Sequence, residues 1–303
     1  MATMTRSQFA KQLQDRLNTV FGMEYDQFPT VYDKVFETVN SSKAYEEDVL
    51  MVGLGGAIEK AEGSAVSYDG GSEAWVARYQ HATVALAFKI TEEAIEDGRY
   101  GDIGAKYSKA LARSMRYTKE VRGHTILNNA FDTNYAGGDG KPLCSTTHPL
   151  AGGGTLANTP STQADLSEEA LEDAMIAIQG FVDDRGLPIM VRAKGLFVPR
   201  QSQFIAHRIL KSVGQSGTAN NDTNALKDLG MLPDGVATSV YLSDSDSWYI
   251  KTDAADGLKH FSRRKLKRGM EGDFETGNMR YKASERYSFG WTDWRGIFAS
   301  SGA

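Results

Sequence analysis

The chain has 303 residues, with 34 lysines and arginines against 39 aspartates and glutamates, for a formal net charge of −5. Hydrophobic residues at 41% and charged residues at 24% are near the averages of a soluble globular protein, which excludes disorder throughout, and the length suffices for one large or two modest domains. The single cysteine, Cys144, excludes an internal disulfide framework and a cysteine-rich zinc module, and the mild acidity means that any nucleic-acid contact must come from a local patch.

No run approaches the ~18 consecutive apolar residues of a membrane span, and the start Met1-Ala-Thr-Met-Thr-Arg6 has no apolar core after a basic opening, so a soluble, unexported protein is expected. The first predicted element is a helix. Thr5 and Gln8 have capping-box spacing, Phe9, Leu13, Leu17 and Phe21 recur every four residues, and Gly22 is the expected C-cap. Its apolar stripe docks either on its own domain or on another subunit. Tyr25 to Tyr45, interrupted by Pro29, reads as an extended arm with short helical turns. The glycines from Gly53 to Gly71 lack the Gly-Lys-Ser/Thr ending of a phosphate-cradling loop and read as a flexible loop.

Trp75, Ala77 and Tyr79 share one face of an extended segment, and Val84, Leu86, Phe88 and Ile90 alternate in the next. Period two over both runs predicts two strands joined near Gln80-His81, a long two-stranded excursion that needs a neighbouring surface to hold it. A long helix is expected from Thr91 to Phe131, interrupted near Gly98–Gly104. Along it Lys106, Lys109, Arg113, Arg116, Lys119 and Arg122 recur at spacings of three and four and line one face. Such a stripe is either a solvated face balanced by acids elsewhere in the fold or a surface aimed at a polyanion.

Further along, Ser167 is expected to cap a helix carrying Leu171, Met175 and Ile178, with Gly186 and Pro188 ending it. A strand follows over Val191–Val198, then a helix over Ser202–Val213, a polar loop over Gly214–Thr223, and short strands at Val236–Tyr241 and Trp248–Lys251. The run Arg263-Arg264-Lys265-Leu266-Lys267-Arg268 is the densest positive charge in the chain, open to ion pairing or to phosphate contact. The aromatic tail from Tyr281 to Phe298 reads as strand, turn and strand in one mixed sheet.

Cys144 and His148 hold the residue types of a thiol hydrolase, because a nearby imidazole lowers a thiol pKa. The local signatures of such enzymes are absent, and the bland reading is a turn set by Ser145, Thr146 and Pro149. The five histidines never reach metal-ligand spacing. The sequence therefore names no catalytic, cofactor-binding or metal-ligating residue, and neither a cofactor nor enzymatic activity is expected.

The order of several segments resembles the major capsid proteins of tailed bacteriophages, whose shell fold is the Hong-Kong-ninety-seven type shared with encapsulins. These segments are Lys43-Ala-Tyr-Glu-Glu-Asp48, Trp75–Ile90, Thr91-Glu-Glu-Ala-Ile-Glu-Asp97, the basic helix to Asn128-Asn-Ala-Phe131, Leu143-Cys-Ser-Thr-Thr-His-Pro149, and Glu285-Arg-Tyr-Ser-Phe-Gly-Trp-Thr-Asp-Trp-Arg295. The resemblance implies an α+β fold with an N-terminal arm (1–47) and an extended loop (48–90). A peripheral domain built on a spine helix (91–133 and 253–303) and an axial domain (134–252) complete it.

It also implies a non-enzymatic head protein that self-assembles as hexamers and pentamers into an icosahedral shell around double-stranded DNA. The expected partners are a separate scaffolding protein, a portal and possible decoration proteins, with no membrane. Its place is the virion, after assembly in the cytoplasm of a bacterial host. Lys106, Lys109, Arg113, Arg116, Lys119, Arg122, Arg263, Arg264 and Lys265 become possible DNA-facing or inter-subunit residues. An encapsulin-like compartment with a protein cargo is the alternative of the same fold. No acidic extension precedes the arm, which implies a separate scaffold or a trimmed precursor. Lys60 lies in the loop, but no crosslinking partner can be matched to it, so no covalent crosslink is expected.

Overall fold

The computed structural model describes residues 6–91, 93, 100–214, 223–273 and 275–303. The expected cap at Thr5, the segment Glu92–Asp97 save Glu93, and most of the loop Gly214–Thr223 lie outside these residues.

The arm helix spans Arg6–Gln27. The described part of its four-residue stripe is buried on the body of the same chain, the Phe9 side chain lying outside the described residues. Leu13, Leu17 and Phe21 pack with Leu111, Ala112 and Met115 of the long helix (Tyr100–Asn128) and with Tyr281 and Ala283. Of the two docking partners open in the sequence, the structure has the chain's own body. Gly22 does not end the helix as expected. A glycine inside a helix is tolerated at about 1 kcal/mol, and here it clears a path for Arg268, whose Nη1 reaches the Asn18 carbonyl at 2.6 Å. The long helix runs unbroken through Gly101 and Gly104, so the interruption expected near Gly98–Gly104 is not found in its described part, residues 98 and 99 lying outside, and it ends at Asn128 short of the expected Phe131.

After a turn of 3-10 helix at Tyr32–Lys34, β1 (Glu37–Asn40) pairs in parallel with β10 (Leu258–Gly272). β2 (Tyr45–Val52) and β3 (Ser72–Gln80) form an antiparallel ribbon closed by the glycine-rich loop. β4 (Ala82–Ile90) starts one residue after β3 but pairs with β11 (Met279–Trp291). Both strands expected around Gln80-His81 exist, yet they do not form a hairpin with each other. Period-two alternation identifies strands without naming their partners, and here the partners are β2 and β11. His81 holds the junction, with Ser41 Oγ 3.0 Å from Nε2 and Ser288 Oγ 3.0 Å from Nδ1.

The first sheet has the order β1-β10-β11-β4, with the long helix packed against β4 and β11. β5 (His148–Pro149) and β6 (Thr155–Leu156) make a two-residue antiparallel pair, and the second sheet has the order β12-β9-β7-β8, made of β7 (Ala193–Pro199), β8 (Gly235–Ser239), β9 (Trp248–Thr252) and β12 (Ile297–Ser300). The helix Glu168–Gln179 lies on this second core through Leu171, Met175 and Ile178, beside Leu196, Trp248 and Ile250. Ser167 caps it as expected, accepting from the Ala170 N–H. It stops at Gly180, before Gly186 and Pro188, because Phe181 turns into the core. A further helix, Gln203–Lys211, follows β7.

Two strand expectations need correction. The tail contributes β11 to one sheet and β12 to the other, not two strands to a single sheet. Between them the turn Trp294–Gly296 buries Arg295 against Asp293 and Asp184. The basic run belongs to β10, a strand the alternation does not reveal. A shared cluster of Tyr32, Leu127, Leu143, Phe197, Tyr249 and Ile297 joins the two sheets.

Candidate assembly and nucleic-acid surfaces

The long helix presents its cations in one row, and the arm helix lies beside that row. Arg113 Nε donates to Glu24 Oε1 at 2.6 Å, and Lys109 Nζ stands 3.9 Å from Glu24 Oε2. Glu24 is buried, so its charge is held by these two partners. Arg116 donates to the main-chain carbonyls of Tyr25 and Phe28 at 3.1 and 3.2 Å and lies over the Tyr25 ring. Those carbonyls sit at and just beyond the end of the arm helix, where unpaired acceptors and the negative end of the dipole favour a cation.

Lys119 is committed inward. Its Nζ lies 3.2 Å from Glu285 Oε2, between the rings of Tyr32 and Tyr287. Burial raises the Glu285 carboxyl above the ordinary range, opposed by the Lys119 charge. Glu120 is raised for the same reason, against two N–H donors from Val31 and Tyr32 that favour its ionised form. Burial also pushes Tyr32 up to about 12, and burial with the nearby Lys119 charge pushes His260 down to about 3. Arg122 lies over the Tyr287 ring, and Lys106 is exposed without a protein partner among the described residues.

On β10 the same economy holds. Arg263 Nε donates to the Lys43 carbonyl at 2.7 Å, and Arg264 Nη2 to Ser284 Oγ at 3.2 Å, whereas Lys265 is exposed without a protein partner among the described residues. Two register shifts between Ser262 and Lys267 bend the strand through the basic run. Thus Arg113, Arg116 and Arg263, together with Arg268 and Arg286, fasten the arm and its continuation to the body, largely through carbonyl oxygens. Carbonyl acceptors leave no residue signature in a sequence, and the acids Glu24 and Glu285 are remote from the helix in the chain.

Cys144 and His148 do not form a nucleophile and base. Cys144 is 3% exposed, and burial pushes its thiol far above the ordinary value. His148 is spent on structure. Its Nδ1 lies 2.6 Å from Asp139 Oδ2, its Nε2 3.1 Å from Asn158 Oδ1, and its ring stacks on Trp294.

Apolar surface is uncovered on the ribbon, as it also is at Ile176, Met190, Phe204 and Leu229 in the second half of the chain. On the ribbon Leu54, Ile58 and Val66 are exposed, and Tyr68 is 93% exposed. Its root is fixed to the body. Lys259 Nζ bridges Asp48 and Asp256 at 2.6 Å each, and Tyr79 Oη lies 2.6 Å from Thr292 Oγ1. No described helix is long and apolar enough to cross a membrane, and no cluster of potential metal ligands occurs among the described residues.

A family model described as phage capsid protein matches residues 75–300. Among solved structures, the procapsid of bacteriophage JBD30 aligns with a TM-score of 0.56 at 13% identity, over 99% of this chain and 77% of that one. The capsid of an empty GTA particle aligns at 0.54 with 13% identity, over 91% of each chain. A virus-like particle from Pyrococcus furiosus aligns at 0.52 with 11% identity, over 94% of this chain and 98% of that one. At such identities the likeness is one of fold. No curated protein matches the chain.

Proposed function

The chain belongs to the phage capsid protein family, and from that membership we propose that copies of it, arranged as hexamers and pentamers, form the icosahedral head around double-stranded DNA. The observation that carries the reading is the ribbon. It leaves Ile58, Val66 and Tyr68 in solvent at the end of a two-stranded excursion, a patch that a lone subunit leaves wet and a neighbour covers. Between Tyr45 and Gln80 it bears seven carboxylates against two cations, the whole net charge of the chain.

The division into arm (1–47), extended loop (48–90), peripheral domain (91–133 and 253–303) and axial domain (134–252) belongs to this reading. So do a separate scaffolding protein, a portal, decoration proteins, and assembly in a bacterial cytoplasm before the protein takes its place in the virion. Of the expected DNA-facing cations, contact would fall to Lys106 and Lys265, which lack a protein partner among the described residues, and to Arg122, whereas Arg113, Arg116, Lys119 and Arg263 serve the subunit itself.

Electron microscopy and light scattering of the purified chain, with and without scaffold, test the proposal. Closed particles enclosing nuclease-protected DNA in infected cells are expected. A chain that stays monomeric under every assembly condition refutes it, and particles filled with a protein and free of DNA would replace it with the compartment reading.

A further inference from the structure

The glycine-rich loop of the ribbon meets the second half of the molecule at the turn that carries Arg185 and Leu187. That turn is unusually well fixed. Asp183 Oδ1 accepts the N–H groups of Arg185 and Leu187 at 2.8 Å each, the Asp183 N–H donates to the Leu187 carbonyl at 2.8 Å, and Gly186 takes a φ of 83°. From below, buried Arg295 donates to the Val182 carbonyl at 2.9 Å and pairs with Asp184, and the Gly152 N–H holds the Asp184 carbonyl at 2.7 Å. Two successive residues thus face opposite ways, Asp184 into the core and Arg185 toward the ribbon.

The ribbon presents a matching acceptor. Asp69 Oδ2 takes Arg185 Nη1, and the Gly70 carbonyl takes Nη2 at 2.9 Å, a two-point grip suited to the planar guanidinium. The same Oδ2 accepts the Gly55 N–H at 2.7 Å, from the opposite limb of the loop. Glycine at position 55 gives this approach room, since a Cβ there would stand 3.0 Å from Arg185 Nη1 and 3.1 Å from Asp69 Oδ2. One carboxylate therefore joins both limbs of the loop to a rigid turn that is 116 residues away from it in the chain.

We propose that Arg185 and Asp69 form a clasp within the subunit that sets the angle of the ribbon before a second copy meets it. A ribbon held only at its root through Asp48 and Lys259 is free to swing about that point. A second fixing at Asp69, eight residues before the Ala77 that pairs with Asp48 and so up to about 26 Å away at ~3.3 Å per residue, defines its direction. The consequence for assembly rests on the shell reading above, whereas the clasp itself is a property of the unassembled chain.

Hydrogen exchange of the full unassembled chain tests the clasp directly. Arg185→Ala, and by an independent route Asp69→Asn, should raise exchange across residues 53–71 by about fivefold, the scale of an exposed ion pair with added hydrogen bonds. Protection of the β2–β3 ladder and the urea midpoint should stay at wild-type values. Unchanged exchange over 53–71 in both folded variants overturns the clasp. In assembly with the same scaffold, the variants should give fewer closed particles and more aberrant ones, and a wild-type yield and size distribution overturns the role in setting the angle. Failure of the wild-type chain itself to form particles would instead strike at the shell reading, leaving the exchange result to stand alone.

Discussion

Lys119→Ala isolates the energetic centre of the subunit. The Glu285 side chain is 2% exposed and that of Lys119 11%, so the substitution strands a carboxylate in the core. Glu285 Oε1 already lacks a hydrogen-bond partner, which leaves Lys119 as the main source of compensation. Removing one member of a buried pair costs ~3–5 kcal/mol, and the slight exposure of Lys119 places this case at about 3 kcal/mol. At a urea slope of about 3 kcal/mol/M for a chain of this length, the unfolding midpoint of the unassembled protein should fall by about 1 M. Adding Glu285→Gln removes the stranded charge and should recover most of the loss. The remainder is the cation–π contact of Lys119 with Tyr32 and Tyr287, worth about 0.5–1 kcal/mol.

The pH dependence gives an independent check on the same pair. Burial already holds the Glu285 carboxyl above its unfolded value, and losing Lys119 raises it further. A carboxyl raised in this way stabilises the fold while protonated, and that contribution disappears as pH climbs through the folded pKa. The Lys119→Ala deficit should therefore be largest near neutrality and shrink on acidification, whereas the double variant, with no titrating group at position 285, should show no such recovery. A deficit equal at neutral and acidic pH, or one that Glu285→Gln leaves untouched, refutes the assignment of the cost to an uncompensated charge.

Gly290→Ala should destabilise the ribbon root by about 1–3 kcal/mol, because the added methyl would stand 2.8 Å from the Tyr79 ring, and thermal unfolding with local hydrogen exchange over β3 reads it. Cys144 should resist thiol reagents in the native protein and react on unfolding, and prompt labelling of the folded chain would contradict its burial. Lys106→Glu with Lys265→Glu should lower the salt slope of DNA binding by roughly 2, at ~0.9 per phosphate contact. An unchanged slope removes these residues from the DNA surface. Arg113→Glu would be a poor probe of DNA contact, since it sets a second carboxylate against Glu24 and loosens the arm.

What the residues revealed and what they concealed divide along physical lines. The arm stripe was legible because a four-residue apolar period has one meaning, and Leu13, Leu17 and Phe21 are buried as that period requires. The face of the basic row was legible for the same reason, but its occupants were not. Glu24 is drawn in from another helix, and the carbonyls of Tyr25, Phe28 and Lys43 belong to the main chain. β3 and β4 were found as strands and joined wrongly, since alternation carries no record of the partner. β10 stayed hidden because a run of arginines and lysines masks the two-sided pattern, and its register shifts break what alternation remains.

The passage from β3 through His81 into β4 has a mechanical consequence. One unbroken length of backbone serves the protruding ribbon on one side and the β4–β11 ladder on the other, with a single pinned imidazole between them. That construction is a rail and not a pivot: a pull on the outer end travels along covalent bonds into the ladder beneath the long helix, so neighbouring molecules that tug on one another would report their tension directly to each other's interiors.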